Sequence, residues 1–405
     1  MSRGAVGAPT GWLTRDVLLI SLSAFFADMG YQGVTAVFPL LIVIQLGQPA
    51  YVYGLMLALS YGVGSLFALV GGRLGDRHGK KAISIAGNLL IPLMSVSALL
   101  PNVVLVGALF VLGWWARYFR TPARRAWLVE VSHPAYRSKI FGFLHALDVG
   151  GGMIAVVYSI ALVLVGAPLD EIILVTAVPL LISTLALVLA GTRPHPEFVA
   201  AATKAASGPP AGEAHQEEEN RFVFRWLLIS ATLFGFSYYA LGFPIVTVAQ
   251  SQGSAVLGIL TFGVYLGVSA GAGYLLGSVR SHRPFRTLWT LGYLLAAVSS
   301  LVIGASYALH YGLGLYYLGA AGLGFATGSV ETFEPVLTST LVRSGRLSSG
   351  LGWLSSSRAI GLFTSNLVMG VIFTFSQFGS YLYAAATAVM AAAILLVVEL
   401  KTKAR

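Results

Sequence analysis

Apolar runs long enough to cross about 30 Å of hydrocarbon recur along this 405-residue chain from one end to the other. They restrict it to very few architectures. Inside a bilayer each backbone N–H and C=O needs a partner within its own segment or a closed barrel, so runs of this length without strand-like alternation read as α-helices. Turn and charge signals predict twelve spans, at 16–46, 50–74, 80–100, 103–130, 136–166, 169–191, 222–250, 254–279, 285–307, 309–341, 346–374 and 377–400. With 57% of its residues hydrophobic and 10% charged, the chain carries more apolar surface than a soluble fold of this size buries. The expected class is an all-α membrane protein. The first run, from about Val17 past Pro39, is too long for a signal-peptide core.

The turns between these runs alternate in charge. "LGQPAY", "LLPN", "GAPLDE", "AQSQGS", "ALHYG" and "SQFG" hold no Lys or Arg, whereas "GRLGDRHGKK", "RRAWLVEVSHPAYRSK", residues 192–221, "RSHRPFR", "RSGR" and the terminal "KTKAR" are basic. The positive-inside bias then places both termini and every basic turn in the cytoplasm, as expected of a multi-pass protein of the plasma (inner) membrane. The net charge of +10 follows from that topology, and no nucleic-acid partner is expected. There is no cysteine, and His-Glu-x-x-His, P-loop and Cys/His patterns are missing, so neither a metal nor a cofactor is expected. "GVSAG" at 267–271 has the letters of a nucleophile elbow, but it lies within a span and reads as a small-residue packing face. An enzyme is not expected.

Residues 192–221 are rich in Ala, Pro, Gly and Glu and read as a cytoplasmic linker between a bundle at 1–191 and another at 222–405. A thin internal repeat joins the two. A shift of 210 residues lays "FGFLHALDVGG" (141–151) on "LGWLSSSRAIG" (351–361), registering Asp148 with Arg358, and the same shift sets Arg124 on Glu334 and Thr121 on Glu331. Phe38-Pro39 recurs as Phe243-Pro244. The predicted architecture is two pseudo-symmetric six-helix bundles, as in the parallel repeats of secondary transporters.

"GGRLGDRHGKK" (71–81) follows the second span. It resembles the signature loop of the major facilitator superfamily, Gly-x-x-x-Asp-Arg-x-Gly-Arg/Lys-Arg/Lys, at Gly72, Asp76, Arg77, Gly79, Lys80 and Lys81. The resemblance implies the major facilitator fold and a cytoplasmic gate. In it Asp76 meets the start of the eleventh span near Arg346, and Arg77 reaches Glu130, with Arg124 close by. In the second half, "GYLLGSVRSHRP" (273–284) keeps glycines and bases but has no Asp, so the latch reads as one-sided. The stretch 120–148 resembles a bacterial and archaeal branch made up mostly of small-molecule exporters. Ala155-Val156 stands where proton-driven exporters usually carry Gly-Pro.

Asp28, Arg117, Arg120, Asp148, Glu331, Glu334 and Arg358 fall inside predicted spans. Each is costly in lipid and should face a partner or a wet cavity. In the family, helices one, four, seven and ten line the central cavity. At 1.5 Å per residue, Arg117 lies about 20 Å along the helix from Glu130, Arg120 about 15 Å and Arg124 about 9 Å. Spacings of three and four put these three arginines on one face, and Pro122 between them should bend the helix. Two readings stand open for Arg117 and Arg120: an anion or proton pathway, or ion pairs with Glu331 and Glu334. Asp28, with Gln32 a turn away, is the candidate protonatable carboxylate. Asp148 and Arg358 are expected to pair or to share a network. Tyr238, Tyr239, Tyr316 and Tyr317 are either cavity or core aromatics, with core expected for the last two.

The expected function is secondary active transport of a small organic solute by alternating access, with protons as coupling ion and efflux as the expected direction. Import or facilitated passage of an anionic or zwitterionic metabolite is the alternative. The expected partners are the solute, protons and the bilayer, with the chain acting as a monomer.

Overall fold

The computed structural model describes residues 12–133, 136–196, 214–237, 239–278, 283–342 and 347–403. The helices are α1 (Arg15–Gln45), α2 (Ala50–His78), α3 (Lys80–Leu99), α4 (Val103–Glu130), α5 (Arg137–Leu164) and α6 (Leu169–Leu189). They continue with α7 (Ala214–Gly235), α8 (Gly242–Gln252), α9 (Ala255–Ser278) and α10 (Pro284–Ala308). The last three are α11 (Leu313–Leu341), α12 (Leu347–Phe375) and α13 (Gln377–Lys403). Ten helices among the described residues are long and apolar enough to cross a membrane. The predicted spans 222–250 and 309–341 are helical but are not among these ten. The first is broken between Gly235 and Gly242 into α7 and α8. The second, α11, is diluted by glycines and polar residues.

Local sequence accounts for the ends and breaks. Thr14 caps α1 by accepting from Val17 N at 3.3 Å, with Asp16 in the first turn, where the helix dipole favours a negative charge. Asn102 caps α4 in the same manner, 2.8 Å from Val104 N. Where α7 gives way to α8, the freed Ala240 N–H donates to Asn366 Oδ1 at 3.1 Å, so the break leaves no orphan donor there. α2 loosens into a π turn at Leu59–Val63, and Trp115 Nε1 donates to the Leu59 carbonyl at 2.9 Å.

Helices α1 to α6 pack on one another, as do α7 to α13, and the two groups meet through α2 with α12, α5 with α9, and α1 with α8. At the end bearing the turns without Lys or Arg, an aromatic seam crosses this boundary. Phe38 stacks on Phe110 at 3.9 Å and tilts against Tyr53 at 6.5 Å; Tyr53 meets Phe243 at 5.6 Å, and Phe243 meets Phe373 at 5.3 Å. All five are at most 5% exposed. The repeated Phe-Pro pair thus supplies one ring of the seam from each group.

Beside it α2 and α12 touch backbone to backbone. A Cβ at Gly54 would lie 2.4 Å from the Asn366 carbonyl oxygen and 2.9 Å from Gly370 Cα. Tyr51 N donates to Thr374 Oγ1 at 3.1 Å across the same boundary. Gly370→Val would overpack this contact at a cost of about 1–3 kcal/mol. It should raise labelling of a Phe243→Cys reporter by a membrane-impermeant maleimide at least about fivefold relative to the reporter alone. Unchanged labelling would mean that this contact does not hold the end shut.

Candidate functional site: two charge centres facing a cleft

The first centre lies among α1 to α6. Asp28 is 6% exposed and accepts a hydrogen bond from the Tyr31 hydroxyl, three residues on along α1. That hydroxyl in turn accepts from Arg117 Nη2 at 3.0 Å. The Arg117 guanidinium lies over the rings of Tyr31 (4.3 Å) and Trp114 (4.9 Å), an arrangement that offsets part of the cost of a buried cation. Asp28, Tyr31 and Arg117 therefore form a relay in which one hydroxyl serves both charges. Gln32 is half-buried next to α5: a Cβ at Gly152 would lie 3.5 Å from its Cγ.

Arg120, 1% exposed, donates from Nη1 to Asn88 Oδ1. Asn88 itself donates to Thr184 Oγ1 (2.7 Å) and Ser183 Oγ (3.2 Å), tying α4 through α3 to α6. Arg124 is 3% exposed, and among the described residues its Nε and Nη1 have no hydrogen-bond partner, nor has Asp148 Oδ1. Asp148, Arg117 and Arg124 all lie within electrostatic reach of Asp28.

The second centre lies among α7 to α13. Arg358 on α12 donates from Nε to Glu334 Oε2 at 2.5 Å, from Nη1 to Glu331 Oε1 at 2.8 Å and from Nη2 to the Val330 carbonyl at 3.3 Å. Tyr293 on α10 donates to Glu334 Oε1 at 2.6 Å. Glu334 is fully buried, while the Glu331 side chain is 55% exposed.

One of the two open readings for Arg117 and Arg120 is set aside here, and one expectation, for Asp148 and Arg358, is corrected. Arg117 and Arg120 do not pair with Glu331 and Glu334, because each set finds partners within its own helical group. Asp148 does not meet Arg358, whose guanidinium is taken up by both glutamates of α11. The repeat registered these residues in sequence, but the pseudo-symmetric positions lie in opposite halves, and the charges were compensated locally.

The cytoplasmic-gate expectation changes as well. Glu130 pairs with Lys80, not with Arg77. Asp76 and Arg77 are exposed, with no hydrogen bond or ion pair to either among the described residues. The expected partner of Asp76 near Arg346 lies outside the described residues. The glycines do serve close approach. A Cβ at Gly71 would fall 1.8 Å from the Phe119 carbonyl oxygen, one at Gly72 would rest 3.6 Å from Pro122 Cβ, and Gly79 holds φ +94° at the turn into α3. Lys81 donates to the Val188 and Ala190 carbonyls at 2.8 and 2.7 Å, closing the end of α6.

Beyond the aromatic seam, α2 and α12 separate around a cavity of about 660 Å³. Tyr61, Tyr118 and Arg358 are on its wall. The second charge centre borders this space through Arg358, whereas Asp28, Tyr31 and Arg117 are not on its wall; Tyr118, the chain neighbour of Arg117, has its ring 5.8 Å from that guanidinium. Tyr239 and Tyr316 are core residues, at 5% and 1% exposure, and Tyr238 lies outside the described residues.

The family model of the Major Facilitator Superfamily matches residues 20–364. The chain belongs to that superfamily. It is a membrane transporter of a small solute and not an enzyme. Solved structures of similar fold include a POT family transporter in complex with a thioalcohol-conjugated peptide (TM-score 0.76, 13% identity, 96% of each chain covered). The nucleoside transporter NupG is also similar (0.72, 11%, 94% of this chain and 99% of that one). So is a D-xylose-proton symporter (0.71, 12%, 95% and 97%). At such identities the likeness speaks for the fold alone. No curated protein matches the sequence.

Tyr31, Asn88 and Tyr293 were missed from sequence. Only Tyr31 carried a signal, one helical turn from Asp28. Removing one partner of a buried pair costs about 3–5 kcal/mol, whereas a solvent-screened pair is worth about 1 kcal/mol or less. Glu334→Gln should therefore lower the thermal midpoint of the purified transporter well below that of Glu331→Gln. Equal shifts for the two variants would contradict this division.

Proposed function

We propose that the protein is a proton-coupled secondary transporter for a small organic solute whose polar end carries both signs of charge. It works by alternating access of its two helical groups, 1–191 and 222–405, joined by the linker 192–221. The observation that supports this reading most is the Asp28–Tyr31–Arg117 chain inside the first helical group, in which one hydroxyl bridges a buried carboxylate and a guanidinium. While Asp28 is charged, it holds the Tyr31 hydroxyl and compensates Arg117. A proton on Asp28 removes that compensation and leaves Arg117 in need of an anion, which the solute supplies. Proton and solute then load together, which makes cotransport the favoured mode over the exchange expected of an exporter. The cationic part of the solute faces the net negative Glu331–Glu334–Arg358 centre.

With the basic turns and both termini in the cytoplasm of a plasma-membrane protein, the described conformation is open inward and sealed outward by the aromatic seam. Lys80–Glu130 and the turn at Gly72, Asp76, Arg77 and Gly79, with Arg124 behind it, form the cytoplasmic gate that closes in the opposite state.

The test begins with a thermal-shift screen of amino acids, betaines and carboxylates, since binding to the native state raises the midpoint. The strongest ligand is then followed in proteoliposomes. A pH gradient should drive its accumulation. Asp28→Asn should lose about tenfold or more of that accumulation while retaining solute counterflow, within the 1–3 kcal/mol usual for coupling between sites. Tyr31→Phe, which keeps both charges but removes the bridge, should fall between the two. Accumulation indifferent to the gradient and to Asp28→Asn would leave a uniporter.

A further inference from the structure

The cavity between α2 and α12 has two unlike ends. On its outer side are Leu66, Leu69 and Ile360, exposed by 59%, 60% and 60%. On its inner side are Tyr118 and Arg358. At 1.5 Å per residue, Leu66 lies about 18 Å and Leu69 about 14 Å from the end of α2 at His78. Ile360 lies about 22 Å from the end of α12 at Phe375. All three sit at acyl-chain depth in a hydrocarbon layer of about 30 Å. Towards the sealed end the cleft stops abruptly, for a Cβ at Gly62 would meet the Phe363 ring at 2.4 Å. The space therefore opens sideways to lipid as well as leading inward to charge.

At the inner end the wall carries Arg358, which is paired behind it with Glu331, Nη1 2.8 Å from Oε1, and the Glu331 side chain is 55% exposed. A head group of one sign gains one partner there and meets a like charge at the other. A zwitterionic head finds an opposite partner for each charge and brings no net charge into the cleft. The apolar mouth repels a purely polar solute but matches an alkyl chain.

We infer that the solute enters from the bilayer through the α2–α12 cleft, and that it is a single-chain amphiphile with a zwitterionic head. On entry its chain lies between Leu66, Leu69 and Ile360 and its head meets Arg358 and Glu331, before the anionic part moves on to Arg117. This rests on the transport reading above and adds the entry route and the apolar body to it.

The chain has no native cysteine, so single reporters can be placed cleanly. Ser355→Cys, one turn from Arg358, and Leu66→Cys, each labelled with bimane in the full-length protein, are reconstituted in phosphatidylglycerol vesicles. The probe is a doxyl-labelled alkylbetaine, compared with the doxyl-labelled carboxylate and trimethylammonium of equal chain length, and with iodide from the water. Saturable quenching at 355 by the betaine, half-maximal at a concentration at least about tenfold below either singly charged analogue, supports the inference. Ser65→Trp, which fills the mouth, should abolish saturation while Leu66→Cys remains quenched as a lipid-facing site.

Quenching at 355 by iodide alone, or by all amphiphiles alike without saturation, overturns the route. Preference for either singly charged analogue overturns the head group. Proton-driven uptake of a water-soluble zwitterion without saturable quenching removes the lateral route and leaves the coupling intact. Saturable quenching with flux indifferent to a pH gradient removes the coupling and leaves the route.

Discussion

An ionised side chain inside hydrocarbon is too costly to stand alone, and this constraint organises the interior of the transporter. Asp28, Arg117, Glu331, Glu334 and Arg358 are compensated within their own helical group, while Asp148 Oδ1 has no hydrogen-bond partner among the described residues. The outcome is two separate centres, Asp28–Tyr31–Arg117 in one helical group and Glu331–Glu334–Arg358 in the other. Because neither centre relies on the opposite group for compensation, the groups can move apart without stranding a charge. The Tyr31 and Tyr293 hydroxyls make this possible by reaching buried carboxylates that no cation covers completely.

The same separation assigns the contact between groups to uncharged matter. Aromatic rings from α1, α2, α4, α8 and α12 interlock at one end, and glycines let the α2 and α12 backbones touch beside them. Such packing is short-ranged and has no charge to desolvate when it parts. Past Gly62 the two helices diverge and the cavity begins. A seam at one end and a gap at the other is the geometry expected of one state of a rocking transporter. The π turn at Leu59–Val63 sits where contact changes to gap, and its loosened backbone is held by Trp115.

Much of the fold was legible from residue order. The alternation of basic and uncharged turns, the Gly-Asp-Arg-Gly-Lys-Lys loop and the long apolar runs all read the same way, because each is a local property of the chain. The break in the seventh predicted span was not visible, since its orphan amide is satisfied by Asn366 from more than a hundred residues away. Of the site, sequence showed which charges fall within apolar runs but neither which are buried nor which ones meet: Glu331 is 55% exposed and Arg124 3%. Glu130 chose Lys80 over Arg77, and Arg358 chose the two α11 glutamates over Asp148. Those choices depend on helix rotation and on side-chain reach across a helix–helix contact, which spacing along one helix does not encode.

The sequence by itself determined that this is a helical membrane protein of two related halves with charges on its inner helices, because burial in lipid punishes any other placement of such residues. Only the tertiary structure decided that these charges form two independent centres, that the Phe-Pro pairs close one end, and that α2 and α12 part at the other. Each of these is a relation between helices distant in the chain, set by how their surfaces interlock.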